Sequence, residues 1–436
     1  MSLYFRRTMI AILTMLLTAA SSWAGKINEH WTVTFNERFR LVTWDNAITL
    51  DETANGSRTF TRSRTRLGAT WTQSENLTVT LRLANEFRYH LTPPETDFHL
   101  NETFIDHLYL KIKPPFYPSI TLTVGRQDIM LGEGFIVMDG HPLDGSRSIY
   151  FNAVRLDWTL RPDHGLTAFA SFTEEYDDWL PIFHKVDQIL VEQPETGIGV
   201  YYFGRWCMRD IQGYFVHKHR GENESIPNSS TANTLGSRIT QPFEGSAGLA
   251  VVVEAGYQFG ENGDADHAAL GGYGYFQAKP KWTAPRPYLP ARITVGTIYL
   301  SGDDPDTEDW EGWDPMFARW PKWSESYIYT QVKEDAVAWW TNLISIYSEV
   351  QFNLTPNVDF KLTCHHLIAP QAADTSTGFP GGSGKTRGEL IIGKLTYKFG
   401  HHWSGHVLCE AFNPGDYYFD GADSYAWIRT EFMFRY

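Results

Sequence analysis

Cysteine is scarce: Cys207, Cys364 and Cys409 are the only three in 436 residues. An odd set without metal-type spacing gives no basis for a disulfide framework, and small buried or lipid-facing positions suit it better. Long apolar runs are also missing. After residue 24 no stretch approaches the ~18 apolar residues of a membrane helix, and 20% charged residues exclude a bundle of such helices. Net positive charge is absent, the formal balance being −14, and no nucleic-acid partner is expected. No linker-like stretch divides the chain, so one large architecture is expected where a soluble chain this long would split into domains. Aromatics, by contrast, are abundant, with 16 Trp, 22 Tyr and 27 Phe. A β-barrel in lipid reconciles these facts, because apolar-out, polar-in strands keep mean hydropathy low while aromatic girdles mark both interfaces. A large soluble β-sandwich or carbohydrate-binding protein is the competing class.

Arg6 and Arg7 precede the apolar run Met9 to Leu17, and Ser22-Trp23-Ala24 offers a small-x-small cleavage site. Residues 1–24 therefore read as a secretory signal and 25–436 as the exported barrel. No cysteine follows that site to carry a lipid anchor. The expected location is the bacterial outer membrane.

Period-2 alternation recurs from residue 29 to the end; in Leu77-Thr-Val-Thr-Leu-Arg-Leu83 the apolar and polar residues take opposite faces. It predicts strands near 29–43, 58–73, 77–91, 101–113, 118–127, 147–160, 165–176, 197–206, 211–219, 232–241, 247–260, 267–280, 290–301, 341–353, 358–367, 388–399, 404–413 and 424–436, the weakest pattern being 232–241. That is an all-β, antiparallel, up-and-down transmembrane barrel of about 18 strands, the even count suiting a single-chain bacterial barrel. Short links such as Gln73–Asn76 and Thr355–Val358 alternate with long ones such as 128–146, 177–196 and 302–340. Short periplasmic turns and long external loops give that parity. Phe432, Phe434 and Tyr436 share a face of the last strand, a pattern resembling the one read by the barrel-assembly machinery; that machinery and outer-membrane lipid are expected partners.

If apolar positions face lipid, their neighbours line the lumen. Arg38 and Arg40, then Arg62, Arg64 and Arg66, then Arg82 and Arg88 fall inward, as do Arg155 and Arg429. Glu37 falls outward, which predicts a bulge there or a position clear of the membrane. Lys394 and Lys398 share a face, although Leu390 and Ile392 blur its register. With the wall so rich in guanidinium, the acid is expected elsewhere: seven carboxylates lie in Asp303–Asp314, and Glu174, Glu175, Asp177 and Asp178 form a second cluster. A row of Arg offers bidentate donors to carboxylates and lets an anion leave one site as it meets the next. Arg–Glu pairing that merely rigidifies the wall is the competing reading.

The chain resembles the alginate export family of outer-membrane barrels. The resemblance rests on Val124-Gly-Arg-Gln127, Asp144-Gly-Ser-Arg-Ser148 running into Asn152-Ala-Val-Arg-Leu156, Thr234-Leu-Gly-Ser-Arg238, Glu254-Ala-Gly-Tyr-Gln258 and Ser301-Gly-Asp-Asp304. It implies an 18-stranded barrel with an Arg-lined constriction for a polyuronate, and carries Arg126, Arg147, Arg155 and Arg238 over as pore residues. The run Arg147-Ser-Ile-Tyr-Phe-Asn-Ala-Val-Arg155 departs from the family pattern.

No catalytic group and no cofactor are expected. His365/His366 and His401/His402 are adjacent, so on a strand each pair faces opposite ways, and His217/His219 lack a third ligand nearby. The acidic 303–314 stretch has no EF-hand pattern and reads as a solvated external loop, whose Trp310, Trp313, Trp320 and Trp323 suit sugar stacking or the membrane interface. Passage of an anionic polysaccharide or oligosaccharide is the leading expectation. A general or small-carboxylate porin is one alternative; a glycan-binding surface barrel plugged by the 128–146 link is the other.

Overall fold

The computed structural model describes residues 25–54, 56–94, 102–139, 147–186, 189–245, 248–282, 287–373 and 381–436. The leader expected over 1–24 lies outside them, as do 140–146 of the 128–146 link. Eighteen strands form the wall: β1 (Trp31–Asp45), β2 (Arg58–Ser74), β3 (Leu77–Thr92), β4 (Thr103–Ile112), β5 (Ile120–Gln127), β6 (Phe151–Arg161), β7 (His164–Thr173), β8 (Glu195–Trp206), β9 (Arg209–Arg220), β10 (Ser230–Pro242), β11 (Ala250–Asn262), β12 (Ala265–Ala278), β13 (Pro290–Leu300), β14 (Leu343–Thr355), β15 (Val358–Ile368), β16 (Thr386–Phe399), β17 (Trp403–Pro414) and β18 (Tyr425–Arg435). Each pairs antiparallel with its neighbours in sequence, and β18 closes on β1 through pairs such as Phe39↔Phe432. Every expected strand has its counterpart, including the weakest, which is β10.

The wall is inside out relative to a soluble protein. On β10 the apolar Leu235 is 60% exposed while its neighbour Thr234 is fully buried. Leu67, Val295, Ile346, Ile391 and Phe432 are exposed in the same way. Lipid is the solvent that makes this arrangement favourable, and barrel closure leaves no unpaired strand edge in it.

Three expectations need correction. The link between β11 and β12 is only 263–264, so outer links are not uniformly long; Gly263, at φ 62°, makes that tight turn. Glu37 does face outward, but β1 keeps an unbroken register with β2 and β18 through it, so no bulge is present. Instead its carboxylate accepts from Ser63 Oγ at 2.7 Å and Thr65 Oγ1 at 2.5 Å on the outer face. The 303–314 stretch leads into a segment that turns into the barrel: Trp313, Met316, Phe317, Tyr327 and Trp340 are buried against inward residues such as Trp44, Tyr214 and Tyr273.

The described part of the 128–146 link also folds inward, placing Ile129, Phe135, Ile136 and Val137 in the same cluster. Backbone hydrogen bonds from Met138 N to Phe317 O and from Phe317 N to Ile136 O, each 3.0 Å, join the two loops inside the lumen. Near the end of β5, just before this loop, Gly125 adopts φ 123°, and a Cβ there would lie 2.2 Å from Leu108 O. Only glycine permits that approach.

Candidate functional site in the barrel lumen

The inward alternation of β1–β3 places Arg38, Arg40, Arg62, Arg64, Arg66, Arg82 and Arg88 on the lumen side. Most of the guanidinium there is already matched by carboxylate. Arg40 Nε meets Glu431 at 2.6 Å, and Arg66 and Arg82 share Asp106 at 2.8 Å each. Arg126 is buried against Asp177 at 2.8 Å and lies over the Tyr150 ring. Arg147 bridges Glu102 and Asp177 at 3.0 and 2.9 Å. Arg155 pairs with Asp157 at 2.8 Å on its own strand. Arg238 binds Glu133 from the first inward loop and lies 3.8 Å from Glu254.

The acid is therefore not kept apart in external loops. Asp177 returns to the wall, and so does Asp314, which is fully buried and receives Arg220 at 2.8 Å. Burial alone would raise the Asp177 carboxyl, but Arg126, the Tyr150 hydroxyl and Arg147 outweigh it and hold it below its ordinary value.

Basic residues absent from the sequence-based candidates, Lys218, Arg319, Lys322 and Arg387, complete the lining together with Lys394, whose register the sequence left blurred. Lys218 follows Tyr214 and Val216 in the inward alternation of β9, so periodicity marked it. Arg319 and Lys322 lie in irregular backbone, where periodicity carries no signal. Arg387 anchors the second loop: it donates to both oxygens of Glu334 at 2.8 and 2.7 Å and to the Tyr327 hydroxyl at 2.9 Å. That loop carries one short helix, α1 (Tyr327–Thr330).

Just before α1 the segment Pro321–Glu325 forms a strap across the lumen. Glu410 on β17 ties it down, accepting from Ser324 Oγ and Ser326 Oγ at 2.5 Å and from the N–H groups of Glu325 and Ser326 at 2.9 and 3.1 Å. Glu325 itself takes Arg429 in a bidentate pair, both contacts 2.6 Å. Burial would raise the Glu325 carboxyl, but Arg429 and Arg40 outweigh it and hold it low.

Pro321 and Glu325 line two cavities, of about 260 Å³ and about 350 Å³. The first, toward the outer half, presents five basic side chains, Arg40, Arg62, Arg147, Lys218 and Arg319, against three carboxylates, Glu192, Glu195 and Glu325. Arg62 is distinctive there: its polar partner is the neutral Tyr329 hydroxyl at 3.0 Å, and its guanidinium lies 5.0 Å from the Phe60 ring centre. Burial would raise the Tyr329 phenol, yet Arg62 and Arg88 outweigh it and lower it. The second cavity, toward the inner half, brings Lys322, Lys361 and Lys394 together with Tyr275, Tyr347 and Trp323.

The histidine pairs do not converge. His365 points inward to Ser345 Oγ at 2.9 Å while His366 points outward to Glu389 at 2.5 Å. His217 and His219 lie on the outer face, each against its cross-strand partner, Asn233 and Thr231. Trp313 and Trp320 are buried inside the barrel, which removes them from any external sugar-stacking surface.

No family model matches the sequence, and no curated protein does. The alginate export resemblance is thus left without support from a family match. Solved structures do match. The Pseudomonas aeruginosa outer membrane protein OpdK with vanillate is 10% identical, with 93% of this chain and 98% of that one covered and a TM-score of 0.56. Pseudomonas aeruginosa OccK2 (OpdF) in complex with glucuronate is 13% identical over 95% and 98%, with a TM-score of 0.57. A BenF-like porin from Pseudomonas fluorescens Pf-5 is 12% identical over 94% and 99%, with a TM-score of 0.59. The chain has the fold of these 18-stranded outer-membrane porins.

Proposed function

We propose that this chain is a passive outer-membrane channel for small anionic solutes, carboxylates above all, rather than a polysaccharide exporter. The observation that carries this reading is the outer chamber, where five basic side chains face three carboxylates in about 260 Å³. Guanidinium groups preset around such a space favour a carboxylate through charge-assisted hydrogen bonds. A wall that exchanges one such contact for the next lets the solute leave as easily as it arrives.

The size of the space supports a one-ring solute over a polymer. Cavities of about 260 and 350 Å³ separated by a tied strap suit a single sugar acid or aromatic acid. An extended polyuronate would need the 301–342 loop to leave the lumen. The ligands named with two of the similar structures, vanillate and glucuronate, are small carboxylates of this kind.

Liposome swelling tests the proposal. Vesicles carrying the protein should swell faster in isosmotic glucuronate than in glucose, and a uronate trimer should scarcely enter. Equal rates for the trimer and the monomer would return the polysaccharide reading; no swelling in any solute would remove the channel reading.

A further inference from the structure

Among the described residues, Arg62 on the outer side of the strap and Lys394 on the inner side make no ion pair with a carboxylate. Arg62, near the outer end of β2, has the Tyr329 hydroxyl as its one polar partner among the described residues. Lys394, near the inner end of β16, makes no hydrogen bond or ion pair among the described residues, although its stem is half-buried. Every carboxylate lining the inner chamber, in contrast, is already held. Glu133 is held by Arg238 and Glu325 by Arg429. Glu349 is shared by Arg292 at 3.0 Å and Lys361 at 2.9 Å, and Glu410 is saturated by the strap. Glu325 and Glu431 act on Lys394 only from a distance, so its half-buried ammonium has no directly bonded counter-charge, and a visiting carboxylate would supply one.

The walls around it are suited to a ring. Tyr275, Tyr347 and Trp323 line the same chamber, and Tyr347 lies 5.2 Å from His365 in a tilted stack. Aromatic faces of this kind take the apolar face of a sugar or a benzene ring.

Between Arg62 and Lys394 stands Glu325, which lines both chambers and occupies Arg429 with the bidentate geometry a solute carboxylate would use. Its backbone N–H is tied to Glu410, while its side chain is held by the two hydrogen bonds of the Arg429 pair, which a solute carboxylate can accept in its place without moving the strap. We propose that the inner chamber is a second binding station, in which Lys394 takes the carboxylate of a one-ring acid after it has replaced Glu325 on Arg429. This rests on the channel reading above and names the residue on which a solute pauses past the narrowest point.

Single-channel recording with galacturonate, and with galactose as the neutral control, tests it. Galacturonate should interrupt the wild-type current in discrete blockades and galactose should not. In Lys394→Gln the blockades should be at least about tenfold shorter, the scale of one lost charge-assisted contact. Lys394→Arg should restore most of their length, and Lys398→Gln, at the exposed inner end of β16, should leave them as in wild type. Unchanged blockades in Lys394→Gln, or equal losses in Lys394→Gln and Lys398→Gln, would overturn the second station while leaving the channel intact. A wild-type protein that passes no current would overturn the channel reading and the station with it.

Discussion

Arg387 anchors the loop that narrows the lumen. It is fully buried, its partner Glu334 has a side chain only 7% exposed, and the two meet at 2.7 Å. The same guanidinium also reaches the carbonyl of Asn342 at 3.0 Å and the Tyr327 hydroxyl, so it ties β16 to the middle and the C-terminal end of the strap-bearing loop. Replacing it with methionine keeps much of the volume and strands Glu334 beside Tyr417 and Tyr327 without its cation. Breaking a buried pair from one side costs about 3–5 kcal/mol. If that cost falls on the docked loop, its released population rises by a factor of at least about 100. In a bilayer, Arg387→Met should therefore show frequent steps to a larger conductance, where wild type is steady. Removing both charges, in Arg387→Met/Glu334→Leu, should recover most of the quiet state, because no unpaired charge remains. A single variant as quiet as wild type, with an unchanged unfolding temperature, would refute the reasoning.

Arg62→Gln should weaken carboxylate block of the channel by on the order of tenfold, since it removes a charge-assisted donor from the outer chamber; block titrated by glucuronate measures this. Leu235→Arg, on the lipid face near the middle of β10, should cost about 2–4 kcal/mol in reversible folding into vesicles, whereas Leu235→Val should cost far less. The Glu325 carboxyl is held below its ordinary value, so the ion pair with Arg429 is complete at neutral pH and contributes stability that is lost only as acid titrates the folded carboxyl. Current through the channel should accordingly be indifferent to pH between about 6 and 8 as far as this pair is concerned, and become noisier only in acid below the ordinary carboxylate range; Glu325→Gln should be noisy throughout.

The barrel was legible in the sequence because its solvent imposes a two-residue period. Leu235 against Thr234, or Phe39 against Arg40, declares the face on which each lies, and the wall arginines of β1–β3 follow from the same rule. What the period could not reveal is what fills the barrel. Trp313, Trp320 and Arg319 lie in irregular backbone, and their burial is decided by the wall they meet, not by their neighbours in the chain. The acidic run 303–314 read as solvated for that reason, although Asp314 ends it fully buried against Arg220. The arginine row was visible, but its neutralisation was not, because Asp177, Glu325 and Glu334 reach it from loops distant in sequence. Only with those partners in place do Arg62 and Lys394 stand out from the rest.

The most direct test of the account is the reversal potential of the wild-type channel under a potassium chloride gradient, read beside the Arg62→Gln/Lys394→Gln double variant. The account predicts a potential on the anion side that moves toward zero in the double variant. A cation-selective channel, or a potential identical in both proteins, would contradict it.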